Sequence, residues 1–133
     1  MYITVKQVQK IFNNLDAGEN EKFFEHVADD VCWKVMGTHP LAGTYNNKQD
    51  FLEHTFVRLN KILKEGVVLK VTGIIVQDDT AAVELETHSK GLNGMPFNNR
   101  YCWIVKFKDK AIVEVRAYLD SALVQKVIEE NET

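Results

Sequence analysis

The stretch from Ala111 to Leu119 reads AIVEVRAYL, and it decides the fold class. Its odd-numbered positions are all apolar, whereas its even-numbered positions include Glu114, Arg116 and Tyr118. Successive side chains of a β-strand point to opposite faces of the sheet. The alternation therefore predicts a strand with one core face and one mainly polar face.

Three preceding segments extend this strand pattern toward the N-terminus. They run from Val67 to Val76, from Ala81 to Ser89 and from Asn99 to Phe107, and the last two share the parity of the stretch from Ala111 to Leu119. Turn-forming residues separate the segments, at Asp78-Asp79, Asn93-Gly94 and Asp109-Lys110. Consecutive strands joined in this way predict an antiparallel meander.

The N-terminal part has helical periodicity instead. Apolar residues recur at helical spacing from Thr4 to Ala17, a short second helix follows, and a third helix is predicted from about Lys48 to Lys64. A strand from Val31 to Met36 and a loop from Gly37 to Gly43 lie between the second and third helices.

A last short helix is predicted from Ser121 to about Glu129, because apolar residues again recur at helical spacing after the final strand. Asp120 or Ser121 can cap its start. Helices that are segregated from an antiparallel sheet indicate an α+β fold.

Size and composition restrict the classes of function. Residues 1–133 are predicted to form one domain, and the formal net charge of −3 predicts no nucleic-acid partner. Apolar runs are too short to cross a bilayer, and the N-terminal residues lack the charged and apolar order of a signal peptide. Cys32 and Cys102 have no metal-ligand spacing, and we expect both to be free thiols and not a disulfide. Free thiols are typical of the reducing cytoplasm, so a cytoplasmic location is predicted.

Four segments together resemble a known family. They are residues 27–33 (VADDVCW), 37–45 (GTHPLAGTY), 93–101 (NGMPFNNRY) and 113–120 (VEVRAYLD). In this order they resemble the SnoaL-like branch of the nuclear-transport-factor-2-like superfamily, whose relatives include ketosteroid isomerase, limonene epoxide hydrolase, scytalone dehydratase and polyketide cyclases.

The resemblance implies a cone-like, strongly curved antiparallel or mixed sheet wrapped around three N-terminal helices, a cystatin-like α+β roll. The cone encloses an apolar pocket, although the same residues could equally fill a core. The residues expected to line the pocket are Trp33, Val35, Leu41, Phe56, Thr87, Tyr101, Trp103, Val115 and Ala117.

The acid–base residues of two relatives are expected to be missing. An ungapped match puts the tyrosine donor, the base and the aspartate donor of ketosteroid isomerase at Ile11, at Val35 and near Trp103. The residues of the epoxide hydrolase fall at about Thr87, Ser89 and Ala117. Neither set carries the carboxylates that these reactions need.

His39 and Tyr101 are the remaining catalytic candidates. Histidine titrates near neutral pH, so His39 could be a base at the pocket entrance, or a loop histidine bonded to backbone or solvent. The leading hypothesis is a protein that binds or transforms an apolar ring-bearing ligand of the polyketide, steroid-like or terpenoid class. The alternative is an isomerase, cyclase or dehydratase with an unfamiliar acid–base set around His39, Tyr101 and Trp103. No metal site or cofactor is predicted.

The even-numbered face of the sheet predicts a contact between subunits. Apolar residues there, among them Ile104 and Ile112, stand beside Tyr118 and the charged Glu114 and Arg116. A fully solvated face would not need these apolar members, so we expect a homodimer through the outer sheet face.

Overall fold

The computed structural model describes residues 2–132 as a helix-lined sheet. The helices are α1 (Val5–Asp16), α2 (Asn20–Phe24), α3 (Lys48–His54), α4 (Phe56–Asn60) and α5 (Ser121–Asn131). The strands are β1 (Val27–Val35), β2 (Gly43–Tyr45), β3 (Lys70–Gln77), β4 (Thr80–Glu86), β5 (Ser89–Lys90), β6 (Pro96–Phe97), β7 (Arg100–Lys108) and β8 (Ala111–Leu119). The predicted α+β class is confirmed.

The main sheet has six strands in the order β2-β1-β8-β7-β4-β3, and it is not closed. The meander from β3 to β8 is antiparallel, whereas β1 pairs with β8 in parallel, so the sheet is mixed. β5 and β6 form a separate two-stranded ribbon. Irregular registers interrupt the β1–β8, β3–β4 and β7–β8 pairs, and such bulges increase the bend and twist of a sheet.

The helices cover the concave face of this sheet. α1 packs on β3, and α3 packs on β1. The largest side chains that are fully buried between the layers include Phe12, Phe23 and Trp33. No helix within residues 2–132 combines the length and the apolar character needed to cross a bilayer.

The bulge between β7 and β8 corrects one expectation from the alternation. Lys106 pairs with Glu114 and Phe107 pairs with Ile112, so Val113 is an extra residue on β8. The extra residue reverses the parity at the start of the strand. Ile112 is therefore 0% exposed in the core, and its placement on the outer face was wrong.

The predicted third helix is divided at Thr55. Its backbone leaves the helical region there (φ −123°, ψ −80°), and α3 ends before it while α4 follows it. The Thr55 hydroxyl donates to the carbonyl oxygen of Phe51 at 2.6 Å. Back-bonding of a threonine to the residue four positions earlier bends helices, which explains the break.

A buried polar network fixes the junction between β8 and α5. The side-chain oxygen of Asn99 accepts hydrogen bonds from the backbone N–H groups of Arg100 (2.8 Å) and Asp120 (3.0 Å). The backbone N–H of Asn99 donates to the Thr87 hydroxyl (3.0 Å), which itself donates to the carbonyl oxygen of Phe97 (2.9 Å). This network holds the start of β7 against the end of β8.

Asp120 caps α5, as one of the two sequence alternatives predicted. Its Oδ1 accepts a hydrogen bond from the backbone N–H of Leu123 at 3.2 Å. The cap is exposed, so its loss affects the helix end rather than the core.

Replacing the cap should lower stability by a defined amount. We expect Asp120→Ala to reduce the free energy of unfolding by about 1 kcal/mol, because one N–H of the first turn loses its acceptor. Asp120→Asn retains an acceptor oxygen, so its free energy of unfolding should stay within about 0.3 kcal/mol of the wild-type value. Urea titrations followed by circular dichroism measure both. An equal loss in the two variants would contradict the capping role.

Candidate functional site

The concave face of the sheet encloses a cavity between β1, β7 and β8 on one side and α3, α4 and α5 on the other. About 40 Å³ is open to the centres of water-sized molecules, which corresponds to roughly three water molecules. The wall is almost entirely apolar. The lining residues are Trp33, Val35, His39, Leu41, Phe51, Thr55, Phe56, Leu59, Val67, Leu69, Tyr101, Trp103, Ala117, Leu119 and Val124.

The registers of three neighbouring strands bring the sheet side of the wall together. Val35 of β1 and Trp103 of β7 both pair with Ala117 of the intervening β8. Residues opposite each other in a sheet point to the same face, so these side chains share the concave wall. Ala117 is the small residue between larger neighbours, and this leaves room above β8.

Aromatic packing holds the two tryptophans in place. The rings of Trp33 and Phe51 stack with centroids 3.9 Å apart and planes 18° apart. Trp33 meets Trp103 edge to face, with centroids 5.1 Å apart and planes 81° apart. The stack joins the sheet to α3, and the edge-to-face contact joins β1 to β7.

Both indole N–H groups lack an acceptor. Trp33 is 0% exposed and Trp103 is 3% exposed, and the Nε1 atom of each has no hydrogen-bond partner in residues 2–132. The remaining buried side-chain polar atom without a partner there, Asn20 Oδ1, belongs to a residue outside the cavity lining. A buried donor that is left unsatisfied costs about 1–3 kcal/mol.

His39 is held by the backbone on both sides of its ring. Its Nδ1 accepts a hydrogen bond from the backbone N–H of Leu41 (3.2 Å), so Nε2 carries the proton and donates to the carbonyl oxygen of Met36 (3.0 Å). Burial lowers the pKa of His39, and the contact with Met36 raises it by a smaller amount. The ring is therefore a neutral brace of the loop, and neither nitrogen is free to take a proton from a ligand.

Tyr101 belongs to the least buried part of the cavity wall, although its phenol group is itself buried. Tyr101 and Leu119 pair across β7 and β8, and they are half-buried, whereas the other lining residues are buried. Burial raises the pKa of the Tyr101 phenol, and the Thr87 hydroxyl lowers it by a smaller amount. The phenol therefore stays protonated at neutral pH and can donate a hydrogen bond.

Most of the residues expected to line a pocket lie around this cavity. They are Trp33, Val35, Leu41, Phe56, Tyr101, Trp103 and Ala117. Two lie outside the lining. The Thr87 hydroxyl is engaged in the Asn99 network, and Val115 is 1% exposed in the core, where it pairs with Val105.

The prediction of the pocket wall did not include several lining residues. Phe51, Thr55 and Leu59 belong to the apolar stripe of the predicted third helix, so the helical periodicity carried a usable signal. Val67 and Val124 come from distant parts of the chain. Only the folded path of the chain brings them to the cavity, and no local pattern contains that information.

The chemistry available in the cavity consists of hydrogen-bond donors in an apolar enclosure. No carboxylate, lysine or arginine lines it among the described residues. Residues 2–132 contain no group of three or more His, Cys, Asp or Glu side chains arranged to hold a metal ion. Such a site can bind an apolar molecule and place a donor beside an oxygen atom. It offers no obvious base.

Comparisons with known sequences point to one family. The sequence profile of the SnoaL-like domain matches residues 8–115. Dimerizing cyclase phiC of Fungal sp. (strain ATCC 74256) is 29% identical over 98% of this chain and 59% of its own length. Dimerizing cyclase tstC of Talaromyces stipitatus is 25% identical over 98% of this chain and 60% of its own length. This chain thus spans about three fifths of the length of these curated relatives.

Solved structures share the fold. An NTF2-like protein from Burkholderia thailandensis E264 has a TM-score of 0.79 at 20% identity, over 92% of this chain and 95% of that one. TerC co-crystallized with polyporic acid has a TM-score of 0.70 at 19% identity, over 94% of this chain and 97% of that one. The NTF2-like cone that the sequence resemblance implied is confirmed.

Acid should destabilise the protein through His39. The native pKa of His39 lies below the unfolded value of about 6.5, so the unfolded chain binds the proton more readily. The contribution of His39 is complete above the unfolded pKa and declines as the pH falls toward the native pKa. His39→Gln keeps polar atoms at this position but does not titrate.

We therefore expect the free energy of unfolding of wild type to fall more steeply with acid than that of His39→Gln. Urea titrations at about pH 7.5, 6.5, 5.5 and 5.0 measure the two slopes. Parallel pH profiles would show that His39 does not titrate in this window.

Proposed function

Because the chain belongs to the family of SnoaL-like domains, we propose that it binds a small apolar ring compound derived from a polyketide. The observation that carries the proposal is the cavity, whose largely aromatic and apolar wall includes two indole N–H groups without a partner. Two relatives are named dimerizing cyclases, and the similar structure of TerC was obtained with polyporic acid. The word cyclase in the two names supports a ligand that contains a ring.

The cavity must enlarge when the ligand enters. A dry cavity of roughly 150 Å³ accommodates benzene, whereas this one offers about 40 Å³. The division of the helix at Thr55 separates α3 from the five-residue α4, which contributes Phe56 and Leu59 to the wall. We infer that outward displacement of this short helix opens the space.

The leading function is ligand binding without the reactions of ketosteroid isomerase or the epoxide hydrolase. The positions matched to the acid–base set of ketosteroid isomerase hold Ile11, Val35 and Trp103, and none of these can act as a base. Those matched to the epoxide hydrolase include Ala117, which has no polar atom in its side chain. A reaction in this cavity would depend on the ligand for its base or on a pathway that needs none.

A cyclase or isomerase remains the second candidate. Tyr101, whose buried phenol stays protonated, lines the cavity, and both curated relatives are named cyclases. Donors in an apolar site stabilise negative charge that develops on a carbonyl oxygen. Tyr101 and Trp103 would donate hydrogen bonds to that oxygen, while His39 would maintain the shape of the loop. Turnover lost in Tyr101→Phe without loss of binding would favour this candidate.

The outer sheet face is proposed to pair two copies of the chain. Ile104 lies beside Arg116, and Cys102 lies beside Tyr118, which is 43% exposed. Lys106 and Glu114 pair next to them, so charges of both signs flank the apolar centre. A two-fold axis brings such a patch against its own copy, where opposite charges can meet.

Filling the cavity should abolish binding while the fold remains. Ala117→Leu places a larger side chain in the space above β8, at a cost to stability of about 1–3 kcal/mol. We expect calorimetric titration with 1-tetralone, a bicyclic ketone, to show at least tenfold weaker binding than wild type. Ala122→Leu makes the same change on the exposed face of α5 and should bind as wild type does. Unchanged binding by Ala117→Leu would place the ligand elsewhere.

Reversing one charge should weaken the dimer. Arg116→Glu sets a new carboxylate near Glu114 and its copy, and like charges across an interface oppose association. We expect the dimer dissociation constant from sedimentation to rise at least tenfold, with 1-tetralone binding retained. Lys10→Glu makes the same change on α1 and should leave the dimer intact. A wild-type species of only 15.2 kDa at micromolar concentration would exclude the dimer.

A further inference from the structure

Two of the residues that line the cavity, Trp33 and Trp103, carry buried indole N–H groups without a hydrogen-bond partner. Buried tryptophans usually direct their N–H to an acceptor, and an unpaired buried donor in a native protein calls for an explanation. Here two such donors belong to Trp33 and Trp103, which both line one cavity, and their rings touch edge to face. Two unpaired donors in one place suggest a common partner.

Among the side chains of the rest of the wall, only the hydroxyl oxygens of Thr55 and Tyr101 can accept a hydrogen bond from a ligand. The Nδ1 of His39 is occupied by the backbone N–H of Leu41, and the Thr55 hydroxyl is committed to the carbonyl oxygen of Phe51. The Tyr101 phenol stays protonated, so it adds a third donor. A molecule that complements this wall must therefore carry acceptor atoms.

The acceptor must also be neutral. No lysine or arginine side chain lines the cavity within residues 2–132. A carboxylate or phosphate would lose its hydration there without gaining a counter-charge, and burial of an unpaired charge is strongly unfavourable. A carbonyl oxygen on an apolar ring system meets both requirements, because it accepts hydrogen bonds and carries no formal charge.

We propose that Trp33 and Trp103 are the polar recognition groups of the cavity, and that the ligand is a neutral ring compound whose carbonyl oxygen accepts from their indole N–H groups. The class comprises ring ketones, quinones, lactones and cyclic anhydrides. This inference rests on the function proposed above and adds which atoms of the ligand are recognised. Phe51 and the other apolar residues bind the ring skeleton and do not distinguish a ketone from a hydrocarbon.

The test compares two compounds that differ in one oxygen. Tetralin and 1-tetralone share a bicyclic skeleton, and only 1-tetralone carries a carbonyl group. Trp33 and Trp103 are the two tryptophans of the chain, so an ¹⁵N spectrum of tryptophan-labelled protein shows one indole signal for each. We expect 1-tetralone to shift both indole protons downfield and to bind roughly tenfold or more tightly than tetralin.

Removal of the donors should remove this preference. Biosynthetic replacement of tryptophan by benzothienylalanine exchanges each N–H for sulfur and retains the shape of the ring. We expect the affinities for the two compounds to become equal within about threefold. The single variants Trp33→Phe and Trp103→Phe show how much each indole contributes to the preference for 1-tetralone over tetralin. Phe51→Leu is the matched control, because it removes aromatic packing without removing a donor. It should lower the affinities for both compounds by the same factor.

The outcomes separate the two proposals. If wild type binds tetralin and 1-tetralone equally, or if benzothienylalanine leaves the preference unchanged, the indole assignment is overturned while the ring-binding function stands. If wild type binds neither compound up to its solubility limit, the ring-binding function itself is overturned, and the indole assignment falls with it.

Discussion

The position of β8 between two unlike partners is the constraint on which the rest of the structure depends. β8 pairs with β7 in antiparallel register and with β1 in parallel register. This arrangement brings Trp33, near the start of the chain, against Trp103, far along it. Without the parallel pairing the aromatic wall would not form, and the helices between β1 and β3 would have no concave face to cover.

The cavity shows how an apolar enclosure gives weight to a few polar atoms. In such surroundings the effective dielectric is low, so a hydrogen bond is stronger and an unpaired donor is less favourable than in water. His39 and Thr55 satisfy their polar atoms within the backbone, and the two indoles do not. The difference separates side chains that shape the cavity from side chains that remain available to a ligand.

Alternation and periodicity were sufficient to predict the class of fold and the inward-facing residues of the central strands. Trp103 and Ala117 follow directly from the parity of their strands. The placement of Ile112 could not be predicted, because a bulge is a property of two paired strands and leaves no mark on one. Thr87 has the parity of a lining residue, but a distant partner, Asn99, draws its hydroxyl into the β7–β8 junction. The partners of His39 likewise depend on the tight folding of its loop.

The small volume of the cavity has a kinetic consequence. A site of this volume admits a ring-sized ligand only in the fraction of molecules in which it has enlarged, and the observed affinity is the intrinsic affinity reduced by that fraction. The same closure retains a bound molecule, because departure requires the wall to open again. For the proposed ligand, exchange would then follow the opening of the wall and not diffusion to the protein. Such a wall would shield most of a bound ring from the solvent, with the half-buried Tyr101 and Leu119 as its most accessible part.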